Sequence, residues 1–362
     1  MEGTREKYSF QFEEAETKKK KPDKIQDVMF GSVFTDHMFI MDYDEERHWH
    51  DGRTVPYGPI ALQPATAVFH YAQGLYEGLK AYRSSDGRIL LFREMMNAKR
   101  LNTTAQRMHI PKIDEELFVS AVRTLIDIER DWVPGEPGTS LYIRPFIIAT
   151  GEYLGLKPSS EYRFAIILSP VSSYHKKGLN PTSVYIESEM SRSAAGGTGG
   201  VKCIGNYAPT LLAESIAKEN GCDQVLWLDG AKHKYIEEMG AANIFFVLND
   251  EVLTPSLEKG TILPGITRDS VIHILRDLGI RVREKSIPVE EIYKAHEKGE
   301  LKESFTTGTA AVVSPVGEFL WKGKKIVISN KKTGPITKQL YDTLTGIQFG
   351  RLEDKYGWVS EV

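Results

Sequence analysis

Two cysteines in 362 residues cannot build a disulfide framework, and Cys203 and Cys222 lack the paired spacing of a metal site. No apolar run approaches the ~18 residues that a membrane-spanning helix needs. The opening "MEGTREKYSFQFEEAE" has no apolar core for secretion, and its acids argue against mitochondrial targeting. Charge of one sign is missing too. The 46 basic residues stand against 49 acidic ones, a net of −3, so no global field draws the chain to nucleic acid or an anionic membrane. These absences leave a cytoplasmic enzyme or binding protein acting on small molecules, with no metal, nucleic-acid or membrane partner expected.

What is present has the balance of a folded protein, with 41% hydrophobic and 26% charged residues. The length suits two domains, each burying its own core. The acidic "EEAE" and basic "TKKKKPDK" read as part of a solvated, mobile segment over residues 1–27. A small α/β domain is expected over 28–173. In it, "GLKAYRSSDGRILLFR" gives two strands joined at Asp86-Gly87. Helices follow at about 94–107 and 114–131, the second with Leu117, Phe118, Ala121, Val122, Leu125 and Ile126 at helical spacing. "TSLYIRPFII" and "YRFAIILSPV" read as buried strands. Polar residues, Gly178 and Pro181 mark an interdomain connection at 174–182. The second, larger domain, 183–362, has strands in "SVYIESEM", "DQVLWLDG", "KYIEE", "NIFFVLNDEVLTP" and "IRVREKSI". Its helices start after Pro209, at "TRDSVIHILRDLG" and at about 335. Strands and helices interleave without a βαβ rhythm, so the expected class is α+β or mixed α/β in two domains.

The stretch "AAGGTGGVKCIGNYAPTLLAESIAKENG", residues 194–221, crowds four glycines up to Lys202. A nucleotide-binding P-loop needs its lysine directly after glycine and a Ser or Thr next. Val201 and Cys203 occupy those places, and no apolar strand leads in. A flexible linker is the bland alternative, but these glycines run straight into a capped helix. A lysine that forms a Schiff base is the third reading. It needs a neutral amine, and glycines would let backbone approach a flat ligand. It also needs companions: a phosphate cradle, a carboxylate for a ring nitrogen and a hydroxyl for a phenolate oxygen.

The companions are there. "VKCIGNYAPTLLAESIAKENGCDQVLWLDG", "YIEEMGAANIFFV", "ILPGITRDSVI" and "FTTGTAAVVSP" together resemble the branched-chain amino acid aminotransferases, pyridoxal-phosphate enzymes of fold type IV. "FGSVFTDHMF", "FHYAQGLYEGLKAYR" and "GTSLYIRPF" extend the resemblance over about residues 28 to 349. It implies a fold type IV architecture with pyridoxal 5′-phosphate at the junction of the two domains. It also implies a homodimer in which each active site borrows residues from the partner. The implied reaction is transamination of leucine, isoleucine and valine with 2-oxoglutarate. D-amino acid transaminases and aminodeoxychorismate lyases share the lysine and glutamate logic, but are shorter and would not carry "TDHM" or "SLYIRPF".

Residue by residue, the resemblance makes Lys202 the Schiff-base lysine and proton shuttle. Tyr207 becomes the hydroxyl for the phenolate oxygen. Glu238 becomes the partner of the pyridine nitrogen, preferred over Glu237 by its spacing to Asn243. Arg100, Ile266, Thr267 and Thr309 are the implied phosphate contacts, with Lys99 blurring the choice of Arg100. Phe30, Tyr71, Tyr76, Tyr142 and Tyr174 form an implied aromatic wall, and Ala241 and Ala310 offer backbone to the substrate α-carboxylate. Arg144, beside Tyr142, suits the γ-carboxylate of glutamate. Each of these aromatic residues also reads plainly as core, and Arg144 as a structural ion-pair partner. One departure stands out: the redox-responsive CxxC of some animal members is replaced by Ala311 and Ser314, so thiol control of that kind is not expected.

Overall fold

The computed structural model describes residues 8–172 and 179–362, and these fall into two compact units. The first holds 8–172 with Cys203–Gly205 and Ile347–Val362; the second holds 179–202 and Asn206–Gly346. The end of the chain thus belongs to the first unit, not to the second as the 183–362 boundary required. A strand explains it: Val359–Glu361 pairs antiparallel with Ile89–Phe92, and Trp358 packs edge-on against Phe92.

In the first unit the sheet runs in the order Gln11–Phe12, His48–Pro56, His37–Asp44, Tyr162–Val171, Ser140–Ala149, Leu79–Arg83, Ile89–Phe92, Val359–Glu361. Gly74–Tyr76 also pairs with Ser140–Ala149. Helices Glu94–Arg107 and Glu115–Ile128 bury Leu101, Ala105, Phe118, Val122, Leu125 and Ile126 in the core that Phe39, Leu141 and Phe164 share. Each fully buried Leu, Ile, Val or Phe contributes roughly 1.5–3 kcal/mol, well above the differences in helix propensity, so packing fixes these helices. Asp114 caps the second one, its carboxylate accepting from the N–H groups of Glu116 and Leu117.

Residues 8–27, expected to be mobile, are held instead. Phe10 packs edge-on against Phe39 at 4.8 Å, and Gln11–Phe12 adds a parallel strand beside Arg53 and Thr54. The Ala15 N–H donates to His37 Nε2 at 2.9 Å, and the Lys19 N–H to Asp36 at 2.7 Å. The charged run conceals these main-chain anchors.

In the second unit the order is Val282–Lys285, Val252–Pro255, Ala242–Val247, Glu303–Gly308, Val312–Trp321, Thr182–Ile186, Gln224–Leu228, Tyr235–Met239, Ile287–Pro288. The strand expected over "SVYIESEM" stops at Ile186, because the Glu187 carboxylate accepts from the N–H groups of Glu189 and Met190 and turns the chain. Two registers align polar side chains across this sheet: Glu238 lies opposite Asn243, and Asn243 opposite Thr307.

Candidate active site

Two of the glycines ahead of Lys202, Gly199 and Gly200, let the chain approach its own backbone closely. A Cβ on Gly199 would collide with the Thr261 carbonyl and Ser193, and one on Gly200 would lie 2.8 Å from the Gly260 carbonyl. Buried Asn206 then staples the loop. Its Oδ1 accepts from the Thr198 hydroxyl at 2.7 Å, and its Nδ2 donates to the carbonyls of Thr198 and Val201 at 2.8 and 3.0 Å. Lys202 leaves this braced loop half-buried, with Nζ 3.4 Å from the hydroxyl of Tyr207. Tyr207 immediately precedes the 3-10 turn Ala208–Thr210, which leads into helix Leu211–Glu219.

Glu237 and Glu238 are both buried, and strand alternation gives them different surroundings. Glu237 accepts from the Ser193 hydroxyl at 3.1 Å. Glu238 accepts from the Leu263 N–H at 2.8 Å and from Asn243 Nδ2 at 3.4 Å, and its other oxygen is 3.0 Å from Arg192 Nη2. Burial pushes the Glu238 carboxyl above the usual range, opposed first by the Arg192 guanidinium, then by the Leu263 N–H and Lys202. Burial likewise raises Glu237, against hydrogen bonds from Thr261 and Ser193.

Three residues beyond Leu263, helix Ile266–Asp277 begins. Gly265 caps it with extended backbone, and no larger residue fits because Asn243 Oδ1 fills the place of a Cβ. The positive end of this helix suits an anion, with Ile266 and buried Thr267 in its first turn. Thr309 and Ala310 stand in the three-residue loop between the paired residues Gly308 and Val312. Val312 closes that loop at φ +62°, a left-handed conformation uncommon for a β-branched residue. Ala241 sits in the two-residue turn between Met239 and Ala242, after Gly240 at φ +55°. A Cβ on Gly308 would lie 3.8 Å from that of Ala242, so the two turns run side by side. Near them the Thr307 hydroxyl is buried with no hydrogen-bond partner among the described residues.

The first unit carries the remaining candidates. Arg100 is not a solvated helix-face residue: it grips fully buried Glu77 through two bonds, Nε–Oε1 at 2.8 Å and Nη2–Oε2 at 2.9 Å, while neighbouring Lys99 is exposed. Arg144 donates to the Tyr142 hydroxyl at 3.0 Å and lies over the Tyr76 ring at 4.5 Å. Phe30 packs edge-on against Tyr142 at 5.0 Å. Tyr71 has a different neighbourhood: it packs on the core and its hydroxyl donates to the Leu154 carbonyl. Tyr174 lies outside the described residues.

The second-unit donor set is an amine beside a phenol, a buried carboxylate and a helix N-terminus with threonines. It fits a ring bearing a carbonyl, a phenolate, a protonatable nitrogen and a phosphate, which is pyridoxal 5′-phosphate. Arg192 and Asn206 are parts of this site that the sequence did not single out. Each acts on a partner that only the fold brings close, and a spacing pattern carries no sign of them.

The amino-transferase class IV family matches residues 74–319. Branched-chain-amino-acid aminotransferase 2 of Bacillus subtilis is 51% identical over 98% of this chain and 98% of its own. The structure of the Escherichia coli branched-chain amino acid aminotransferase superposes with a TM-score of 0.73 at 27% identity, covering 90% of this chain and 98% of that one. The branched-chain aminotransferase of the thermophilic archaeon Thermoproteus uzoniensis, solved with norvaline, gives 0.74 at 26% identity over 90% and 99%.

Proposed function

Because the chain belongs to the amino-transferase class IV family, we propose that it is a branched-chain-amino-acid aminotransferase. It passes the amino group of L-leucine, L-isoleucine or L-valine to 2-oxoglutarate in a reversible ping-pong exchange, giving the 2-oxo acid and L-glutamate. The observation that carries this reading is the near-complete alignment with the Bacillus subtilis enzyme at 51% identity. The cofactor is pyridoxal 5′-phosphate, which when bound draws electrons from the substrate α-carbon.

The chain's own residues do the rest. The Lys202 amine holds the cofactor and, once substrate has displaced it, moves the proton at the α-carbon. Tyr207, next to it, donates to the phenolate oxygen, and Glu238 holds the ring nitrogen in its protonated form. The first turn at Ile266 and Thr267, with Thr309, holds the phosphate. Phe30, Tyr76 and Tyr142 shape an apolar wall, and the turns at Ala241 and Ala310 present main chain to the α-carboxylate.

Purified protein should be yellow and should turn over L-leucine, L-isoleucine and L-valine with 2-oxoglutarate, leaving D-alanine untouched. A spectrophotometric assay with each donor decides this. Turnover of D-alanine without L-leucine would move the chain to the D-amino acid transaminases.

The same pocket has to accept an apolar side chain in one half-reaction and a γ-carboxylate in the other. Arg144, framed by Tyr76 and Tyr142, supplies the cation, since a buried carboxylate without a partner is costly. Arg144→Leu should slow the glutamate half-reaction more than the leucine one, by about 2–5 kcal/mol of difference. Stopped-flow of each half-reaction measures it. Equal losses accompanied by a lower melting temperature would make Arg144 a scaffold residue.

We further propose a cytoplasmic homodimer. Cys203 and Cys222 are both free thiols, as suits a reducing compartment. Phe69, Leu154 and Leu156 are 61%, 68% and 82% exposed. They lie on two segments joined by the bonds from Ala67 to Gly151 and from Tyr71 to Leu154. An apolar patch of that kind suits a subunit contact.

A further inference from the structure

Two carboxylates, Glu237 and Glu238, stand side by side at 3% and 2% exposure, and one of them must be an anion for the proposed chemistry. The groups around them are few. Arg192 and Lys202 are the cations that act on Glu238; around Glu237 are Ser193, Thr261, Arg192 and, on the repulsive side, Asp229. Lys202 cannot be a lasting counter-charge, because its amine has to be neutral to act as a nucleophile. A guanidinium never gives up its proton at working pH. The side chain of Arg192 is only 5% exposed, and its Nη2 lies 3.0 Å from Glu238. The same Nη2 donates to the carbonyls of Thr261 at 2.7 Å and Gly199 at 3.4 Å. Arg192 therefore meets the carboxylate, the glycine loop that bears Lys202 and the loop that leads towards Leu263. The neighbouring residue repeats the arrangement in neutral form, the Ser193 hydroxyl bonding Glu237 and the Thr261 carbonyl.

We propose that Arg192 is the positioning residue of this site, the permanent counter-charge that keeps Glu238 anionic and aimed while Lys202 loses its own charge. This rests on the function proposed above. Adjacent residues 192 and 193 sort adjacent residues 237 and 238 into an ionised carboxylate and a hydrogen-bonded one. Without Arg192, the largest opposition to burial is gone. Glu238 then takes up a proton, and a neutral acid no longer favours a protonated ring nitrogen.

The test uses the full-length holoenzyme with Arg192→Met and Arg192→Lys, alone and combined with Glu238→Gln. At neutral pH Arg192→Met should slow both half-reactions roughly 10²-fold, the scale on which removing one partner of a buried ion pair acts. The acid limb of its pH–rate profile should move to higher pH, because Glu238 must then lose a proton to work. Arg192→Lys should restore most of the rate and the wild-type limb. In the Glu238→Gln background Arg192→Met should cost less than threefold. Cofactor affinity, titrated by protein fluorescence, should weaken in Arg192→Met and recover as the pH rises. An unmoved acid limb, or losses that multiply in the double variant, would overturn the proposal. If Arg192→Met does not fold, Arg192→Lys and Arg192→Gln answer the same question: wild-type profiles in both would overturn it. A wild-type protein that binds no pyridoxal phosphate would instead remove the functional reading beneath it.

Discussion

Lys202→Ala should retain the protein's fold and its noncovalent hold on the cofactor, yet exchange amino groups more than about 10⁴-fold more slowly, since nucleophile and proton shuttle vanish together. The loop should survive the substitution. Its shape is set by the Asn206 staple and the glycine contacts, none of which involves the lysine side chain. Single-turnover measurement of each half-reaction gives the rate. Borohydride reduction of the wild-type holoenzyme, followed by peptide mapping, should fix the cofactor to the peptide that contains Lys202. A label on any other lysine would refute the assignment.

Glu238→Gln should come second in size. A charge-assisted hydrogen bond is about twice as strong as a neutral one, so the amide should forfeit about 3 kcal/mol, roughly 10²-fold in rate. It also leaves Arg192 facing a neutral group, so the melting temperature should fall. Glu237→Gln should be milder, because the partners of Glu237 include the neutral Ser193 and Thr261 hydroxyls and burial already favours its neutral form. Measuring kcat and melting temperature for both variants separates the neighbours. Greater damage from Glu237→Gln would reverse the choice between them.

Periodicity made some of this architecture plain. The helix at 94–107 has the expected ends, and the apolar stripe of Glu115–Ile128 is the buried one, because tight apolar spacing survives whatever surrounds it. The hairpin His37–Asp44 and His48–Pro56 was not legible. Its strands are full of charge, and what permits that is cross-strand pairing: Asp42 meets Arg53 at 2.9 Å and Arg163 at 2.7 Å. Glu303–Gly308 was concealed by its serine, threonines and glycine, whose polar groups are buried within the sheet.

The placement of the candidate groups was legible where they lie close in the sequence, as with Lys202 and Tyr207 or Gly265 to Thr267. It was illegible where two distant segments meet, as Arg192 does Glu238 and Glu77 does Arg100. The glycine stretch is instructive in a different way. Its composition signalled a close approach, but composition does not name the partner, and the partner is the chain's own backbone at 260–261.

That contact makes the glycine loop a gauge block. The segment that presents Lys202 and the segment that runs on to the helix at Ile266 touch through main chain at Gly199, Gly200, Gly260 and Thr261. Their separation is a backbone dimension, insensitive to side-chain rotamers. A single methyl group added at Gly199 or Gly200 would force that dimension to change, because the added carbon would meet the carbonyl of Thr261 or Gly260.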